Sequence, residues 1–337
     1  MAMLKNRNVS YDCISGIMIL WMVVYHAFMW GGLSDTDTFH VLLRVLFFFM
    51  PWFYFKSGVV FKTRPFREAF TNDLNRLIFP MLIWTLIGFM FMAPKLIYID
   101  RLPIGQVLSL PVDSLLISGD TKGNAPLWFL LSLFIVKCLM AGIVRLNRRI
   151  QFILLPLLAG VGWLLYREQL LLPLGFSTIP LGLLFALSGY LFGEQISRVS
   201  FLSQIMVICV TVGLAYAVEG YVDIHVNTLW YGSYIGYIVT SLLSVCSVLF
   251  LFRKIAISPL IWIGRKSMYL LLIHWPVFTL ITLISYRTGL PVQGNSYAVT
   301  LGTIALLVSL LAARFIPESW LGIHGTKSRK YLYRRAS

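Results

Sequence analysis

The chain has 337 residues, 58% of them hydrophobic and 12% charged, with a mean hydropathy of +0.81. Soluble domains are nearer half apolar and a quarter charged, so the composition excludes one and assigns a polytopic membrane protein whose spans use the whole length. The net charge of +15 would suit nucleic acid in a soluble chain; here its placement in loops reports membrane sidedness and excludes a nucleic-acid partner.

Ten apolar segments are expected, at roughly 12–30, 39–61, 75–94, 126–144, 150–167, 176–194, 200–218, 230–252, 260–286 and 297–316. Each is about as long as a ~30 Å hydrocarbon core requires. With the N-terminus inside, twenty Lys and Arg fall in cytoplasmic loops and the tail, against five outside: Lys95, Arg101, Lys122, Arg167 and Arg287. That bias alternates through every loop and places both termini in the cytoplasm. The expected class is all-α, with one membrane domain over 1–320 and a basic tail over 321–337 lying against anionic lipid heads. The first apolar run lacks a small-residue cleavage site, so no cleavable signal peptide is expected.

The first segment carries one titratable group in its outer half, His26. An ionisable side chain at membrane depth is costly and marks a functional site. Eleven residues make nearly a whole number of helical turns, so Ser15 and His26 share a face, roughly 16 Å apart along the axis. Asp12, Ile19 and Met22 continue that stripe.

The second segment contains FFFMPWFYFKSGVVFK, with Arg44 near its outer end and Lys56 about two turns from its inner end, level with Ser15. Arg44 reads as an interface anchor. The third begins NRLIFPMLIW, where Pro80 should kink the helix. Arg76 lies at its inner mouth, with Arg64 and Arg67 close by, either as positive-inside charge or as a phosphate-binding group. The external stretch 95–125 holds Pro103 and Pro111 and should form short helices on or in the outer face.

The fourth segment opens APLWFLLSLF. Trp128 there is an aromatic-belt residue or a stacking platform for a sugar ring. Lys137 lies about half way through this span and must face the bundle or a wet cavity, touching a substrate or backbone carbonyls; the sequence names no charged partner for it. A smaller outer loop over 219–228 holds Asp223 and His225. The ninth segment, IWIGRKSMYLLLIHWPVF, has Arg265 and Lys266 at its inner end and His274 deep inside. His274 would assist His26, bind the acceptor, or satisfy a carbonyl near Pro276. Cys13, Cys138, Cys209 and Cys246 show no metal-ligand spacing and read as small hydrophobes, so no metal is expected. No phosphate loop, dinucleotide fingerprint, metalloprotease helix or serine elbow is present. Paired intramembrane carboxylates are also missing, which argues against an ion-coupled pump.

Asp12, Gly16 and His26 stand where the membrane-bound acyltransferase-3 family has the Asp, Gly and His of its first-helix signature, and the chain resembles that family there. Ser15 occupies the place of the family's basic residue. F-x-S-G around Ser57, a basic residue before Pro80, LWFL at 127–130 and G-R-x-S with a later H-x-P around His274 match further segments in order. The resemblance implies an integral membrane O-acyltransferase, most simply an O-acetyltransferase of the cytoplasmic (inner) cell membrane. It would move an acyl group from acyl-CoA, a donor substrate and not a bound cofactor, to a hydroxyl of a cell-surface polysaccharide or lipid-linked sugar. His26 would be the base, able to take a hydroxyl proton near neutral pH. Lys56 would supply the cation that the first helix lacks, with Lys137 or Arg76 as further donor contacts and Trp128 beside the acceptor. A transporter or flippase of a lipid-linked sugar is the rival reading; it usually shows paired halves, and no internal symmetry is found.

Overall fold

In lipid a chain must satisfy its own backbone, so the apolar segments can cross only as helices, and their small and polar residues decide which faces meet. The computed structural model describes residues 9–196, 199–217 and 220–322; of the expected basic tail, 323–337 lie outside the described residues. The chain is a helical bundle with one small two-stranded sheet.

In order, the elements are α1 (Val9–Trp30), α2 (Asp37–Leu46), α3 (Phe49–Val59), α4 (Phe66–Asp73), α5 (Phe79–Pro94), α6 (Ile104–Ser118), α7 (Trp128–Ile143), α8 (Arg148–Arg167), α9 (Ile179–Ile196) and α10 (Phe201–Ala217). The hairpin β1 (Gly220–Asp223) and β2 (Thr228–Gly232) follows, then α11 (Tyr234–Leu251), α12 (Ser258–Arg265), α13 (Ser267–Thr288) and α14 (Asn295–Phe315). Among the described residues nine helical stretches are long and apolar enough to span a membrane. The expected tenth, α10, is a 17-residue apolar helix. It packs along α11, where the Thr211 and Ser247 hydroxyls lie 2.9 Å apart.

Several boundaries differ from the sequence expectation, and proline explains two of them. The segment expected over 39–61 is two helices. Pro51 has no N–H for the Phe47 carbonyl and its ring crowds that carbonyl, so the helix breaks at Phe47 and Phe48. Pro80 does not simply kink the third span. A π-helical turn at Leu74–Ile78 precedes it, widening the helix where the proline ring would meet the Arg76 carbonyl. The stretch from Phe66 to Ile99 is consequently continuous, longer than the expected 75–94. The segment expected over 260–286 is also divided, between Arg265 and Ser267.

The largest departure is the expected outer loop 219–228. It forms most of an antiparallel hairpin, with Gly220 opposite Gly232 and Asp223 opposite Thr228, and a bulge between Tyr221 and Val222. Strand β2 therefore occupies 228–232, and the next helix begins at Tyr234, capped by the Ser233 hydroxyl accepting the Gly236 N–H. Asn227 takes a left-handed φ of 48°, which its short polar side chain tolerates. That side chain ties the turn to the bundle: its Nδ2 donates to the Gly162 carbonyl at 2.9 Å, and its Oδ1 accepts the Tyr234 hydroxyl at 2.6 Å.

The bundle is layered by burial. In the apolar window of α9, 78% of residues are buried, against 11% for α8, so α9 is central and α8 peripheral. Helices α1, α3, α9 and α13 form the middle, with Trp52, Tyr54, Phe185 and Phe278 fully enclosed.

Candidate active site

Two histidines meet in the middle. His26 Nδ1 lies 3.1 Å from His274 Nε2, and His274 Nδ1 lies 2.6 Å from the Leu270 carbonyl. A carbonyl only accepts, so His274 carries its proton on Nδ1. In the neutral ring its Nε2 is then an acceptor, and His26 donates from Nδ1. His26 Nε2 is left with a lone pair. The rings stack with centroids 5.2 Å apart and planes 13° from parallel. Trp275 meets His26 edge-on at 5.4 Å.

His274 is held by its own helix. Pro276 offers no N–H to the Leu272 carbonyl one turn back. Asn124, fully buried in the connection before α7, donates Nδ2 to that carbonyl at 2.8 Å. The stretch of α13 bearing His274 is thus satisfied from outside the helix, as a buried backbone group must be.

A second cluster lies about three turns down α1. Lys56 Nζ donates to Ser15 Oγ at 2.7 Å and lies 3.4 Å from Asp12 Oδ1. Arg265 Nε donates to Asp12 Oδ2 at 3.0 Å. Trp52 Nε1 also donates to Ser15 Oγ, at 3.0 Å, and that hydroxyl donates to the Tyr11 carbonyl at 2.7 Å. Asp12 is only 1% exposed, a burial that a carboxylate tolerates when cations flank it. Glycine makes the cluster possible. A Cβ on Gly16 would stand 2.2 Å from the Leu260 carbonyl oxygen, and one on Gly264 would stand 1.8 Å from that of Asp12. No other residue lets α12 approach α1 so closely.

One cavity of ≈ 580 Å³ joins these regions. Lys56, Arg76 and Ser267 line its basic end, His26 and Trp275 its middle, and Trp128 and Asp223 the opposite end. His225 and Tyr221 line that far end as well. There the Trp128 and His225 rings stack at 4.8 Å, 13° from parallel. Asp223 Oδ1 accepts the His225 backbone N–H at 3.1 Å, shaping the turn. Burial pushes the Asp223 carboxyl above its ordinary 3.8, against the pull of His225. Burial lowers the His225 imidazole below 6.5, against the Asp223 and Asp120 charges.

Of the residues singled out from sequence, His26, Lys56, Arg76 and Trp128 face this cavity. Ser15 and His274 stand behind it and touch Lys56 and His26. Lys137 has the charged partner that the sequence could not name: its ammonium pairs with Asp73 at the end of α4, and it is not among the lining residues. Asp223, His225 and Asn124 were missed. The run TLWYG, rich in strand-favouring Thr, Trp and Tyr and preceded by the turn residue Asn227, was the available signal for the hairpin. Nothing local marks Asn124.

A family model described as an acyltransferase domain matches residues 8–314. No curated protein and no solved structure matches the chain.

Proposed function

From the chain's membership of the acyltransferase-3 family, which makes it a membrane acyltransferase, we propose that it is an O-acyltransferase using acyl-CoA, most simply acetyl-CoA. The acceptor is a hydroxyl on a cell-surface polysaccharide or lipid-linked sugar. The basic end faces the cytoplasm, where the donor is made, in the inner cell membrane.

The observation that carries this reading is the His26–His274 hydrogen bond, which turns a lone pair of His26 toward a cavity with cations at one end. In the reaction, His26 Nε2 removes the acceptor's hydroxyl proton as its oxygen attacks the thioester carbonyl. The tetrahedral intermediate collapses, the carbon–sulfur bond breaks, and the thiolate takes the proton from the imidazolium. The products are the ester and free CoA. The His274 acceptor stabilises the imidazolium through Nδ1–H, so one ring serves as base and then acid.

Lys56 and Arg76 stand where the donor's phosphates would bind, Arg76 suited to phosphate by its planar fork. The distance from the Lys56 level to His26 is roughly 16 Å along α1, a reach that an extended pantetheine arm covers. A cavity lined from Lys56 through His26 to Trp128 supports direct attack over an acyl relay. Lys137, paired with Asp73, then stays outside the donor contacts.

The test is purified protein in vesicles given labelled acetyl-CoA and a sugar acceptor, with His26→Ala beside the parent. Label should reach the acceptor and fall about 10²- to 10⁴-fold in the variant, the usual worth of a general base. Undiminished labelling by the variant rejects His26 as base. Sugar crossing the vesicle without label supports transport instead.

A further inference from the structure

The hairpin sets a carboxylate and an imidazole beside the Trp128 indole of α7, at the end of the cavity away from Lys56 and Arg76. Asp223 is the one carboxylate among the lining residues, while the lining Lys and Arg, Lys56 and Arg76, are both at the other end. Lys122, the cation whose charge reaches His225, is paired with Asp120 at 2.9 Å, so Asp223 keeps this end negative, and an anionic donor is drawn to one end and repelled by the other.

His225 Nε2 is buried with no hydrogen-bond partner among the described residues. A buried ring nitrogen left unpaired is costly, and this one belongs to a residue that lines the cavity, where a ligand hydroxyl would satisfy it. The stack on Trp128 fixes the plane of the ring. The strand below is fixed by Asn227, which grips α8 and α11. Tyr221 brings its hydroxyl to within 3.5 Å of the hydroxyl of Tyr25, the neighbour of His26. What the hairpin holds is thus held beside the base.

We propose that this hairpin is the acceptor-recognition element, with Asp223 and His225 reading hydroxyl groups of an uncharged polyhydroxylated ring held beside Trp128. A hydroxyl both donates and accepts, so one ring can donate to the Asp223 carboxylate and satisfy His225 Nε2 in either tautomer. An anion meets the carboxylate and is refused. This deepens the acyl-transfer reading and rests on it for the identity of the cavity, but it concerns binding alone.

The probes are methyl glycosides of the gluco, galacto and manno series, titrated by ligand-observed NMR against the full chain in nanodiscs. The variants are Asp223→Asn and His225→Phe, the second keeping the stack on Trp128. At least one glycoside should bind the parent, and each variant should weaken it roughly tenfold to hundredfold, the worth of one hydrogen bond to a charged or buried group. Acetyl-CoA affinity, read in parallel, should hold and report an intact fold. Should a variant lose its fold, photolabelling of the parent by a diazirine glycoside decides alone. Labels should fall within 220–232 or on Trp128. Labels confined to the Lys56 and Arg76 end, glycoside binding that survives both substitutions, or no binding of any glycoside overturns the inference. The acyl-transfer reading stands or falls separately, on His26→Ala.

Discussion

The ammonium of Lys56 lies 2.7 Å from the hydroxyl of Ser15, on a neighbouring helix. Ser15 is fully buried, at the position where the sequence resemblance leads one to expect a basic residue. A long basic side chain at position 15 would collide with Lys56, so the small residue and the large one are complementary. On the proposed reading, Lys56 supplies from α3 the cation that α1 lacks. Lys56→Met should raise the acetyl-CoA Kd roughly tenfold to hundredfold, as expected for losing a charge-assisted contact to phosphate. The exchange Ser15→Lys with Lys56→Ser should recover most of that affinity, while Ser15→Lys alone lowers Tm by setting two ammoniums side by side. Calorimetric titration of the donor reads the first two and a thermal melt the third; an unaltered Kd in Lys56→Met would assign Lys56 to neutralising Asp12 only.

In the proposed mechanism His274 positions the base: it touches His26 and is not among the residues lining the cavity. His274→Ala should lower kcat about tenfold to hundredfold, less than loss of the base itself, with KM for acetyl-CoA unchanged. His274→Gln, whose side-chain carbonyl can accept from His26 Nδ1–H, should regain part of the loss. A purely structural role would lower Tm and kcat together, with no recovery in the glutamine variant.

The contact between α1 and α12 has no room for a methyl group. Gly16→Ala and Gly264→Ala each push a Cβ into backbone carbonyl, and overpacking of this kind costs about 1–3 kcal/mol or more. Both should lower Tm, because separating these helices draws Arg265 away from the buried Asp12. Gly160→Ala on α8, where a Cβ meets nothing within 4 Å, should leave Tm equal or higher. Equal behaviour of the three variants in thermal melts would contradict the close approach.

The hairpin should be sensitive to acid. The folded-state His225 pKa lies below the unfolded 6.5, so the unfolded chain binds the proton first as pH falls. Stability is full above about pH 6.5 and is lost as pH falls below it. Asp223 acts in the opposite direction: its folded pKa exceeds 3.8, so on acidification the folded chain is the first to take up that proton. The parent should therefore lose Tm between about pH 7 and about pH 5, His225→Phe should lose less, and Asp223→Asn should lose more. Parallel melting slopes in all three would show that neither group titrates differently on folding.

The spans, the basic bias of their loops and the stripe from Asp12 to His26 could be read from sequence because each is a local pattern. Helical period, segment length and loop charge are all set within some twenty residues. The same locality hid the rest. His274 lies 248 positions from His26, so only folding shows that its ring accepts a hydrogen bond from His26 Nδ1 and leaves Nε2 its lone pair. Asp73 finds Lys137 across 64 positions. The end of the TLWYG strand abuts an apolar run, and its residues 230–232 were absorbed into the expected helix 230–252, although the strand pairs with β1, whose Tyr221, Val222 and Asp223 line the cavity. Sequence by itself determined that this chain is a helical membrane bundle with an imidazole at depth. The tertiary structure alone decided which groups touch that imidazole and which stand at either end of its cavity, because hydrogen bonds and ion pairs depend on separation in space.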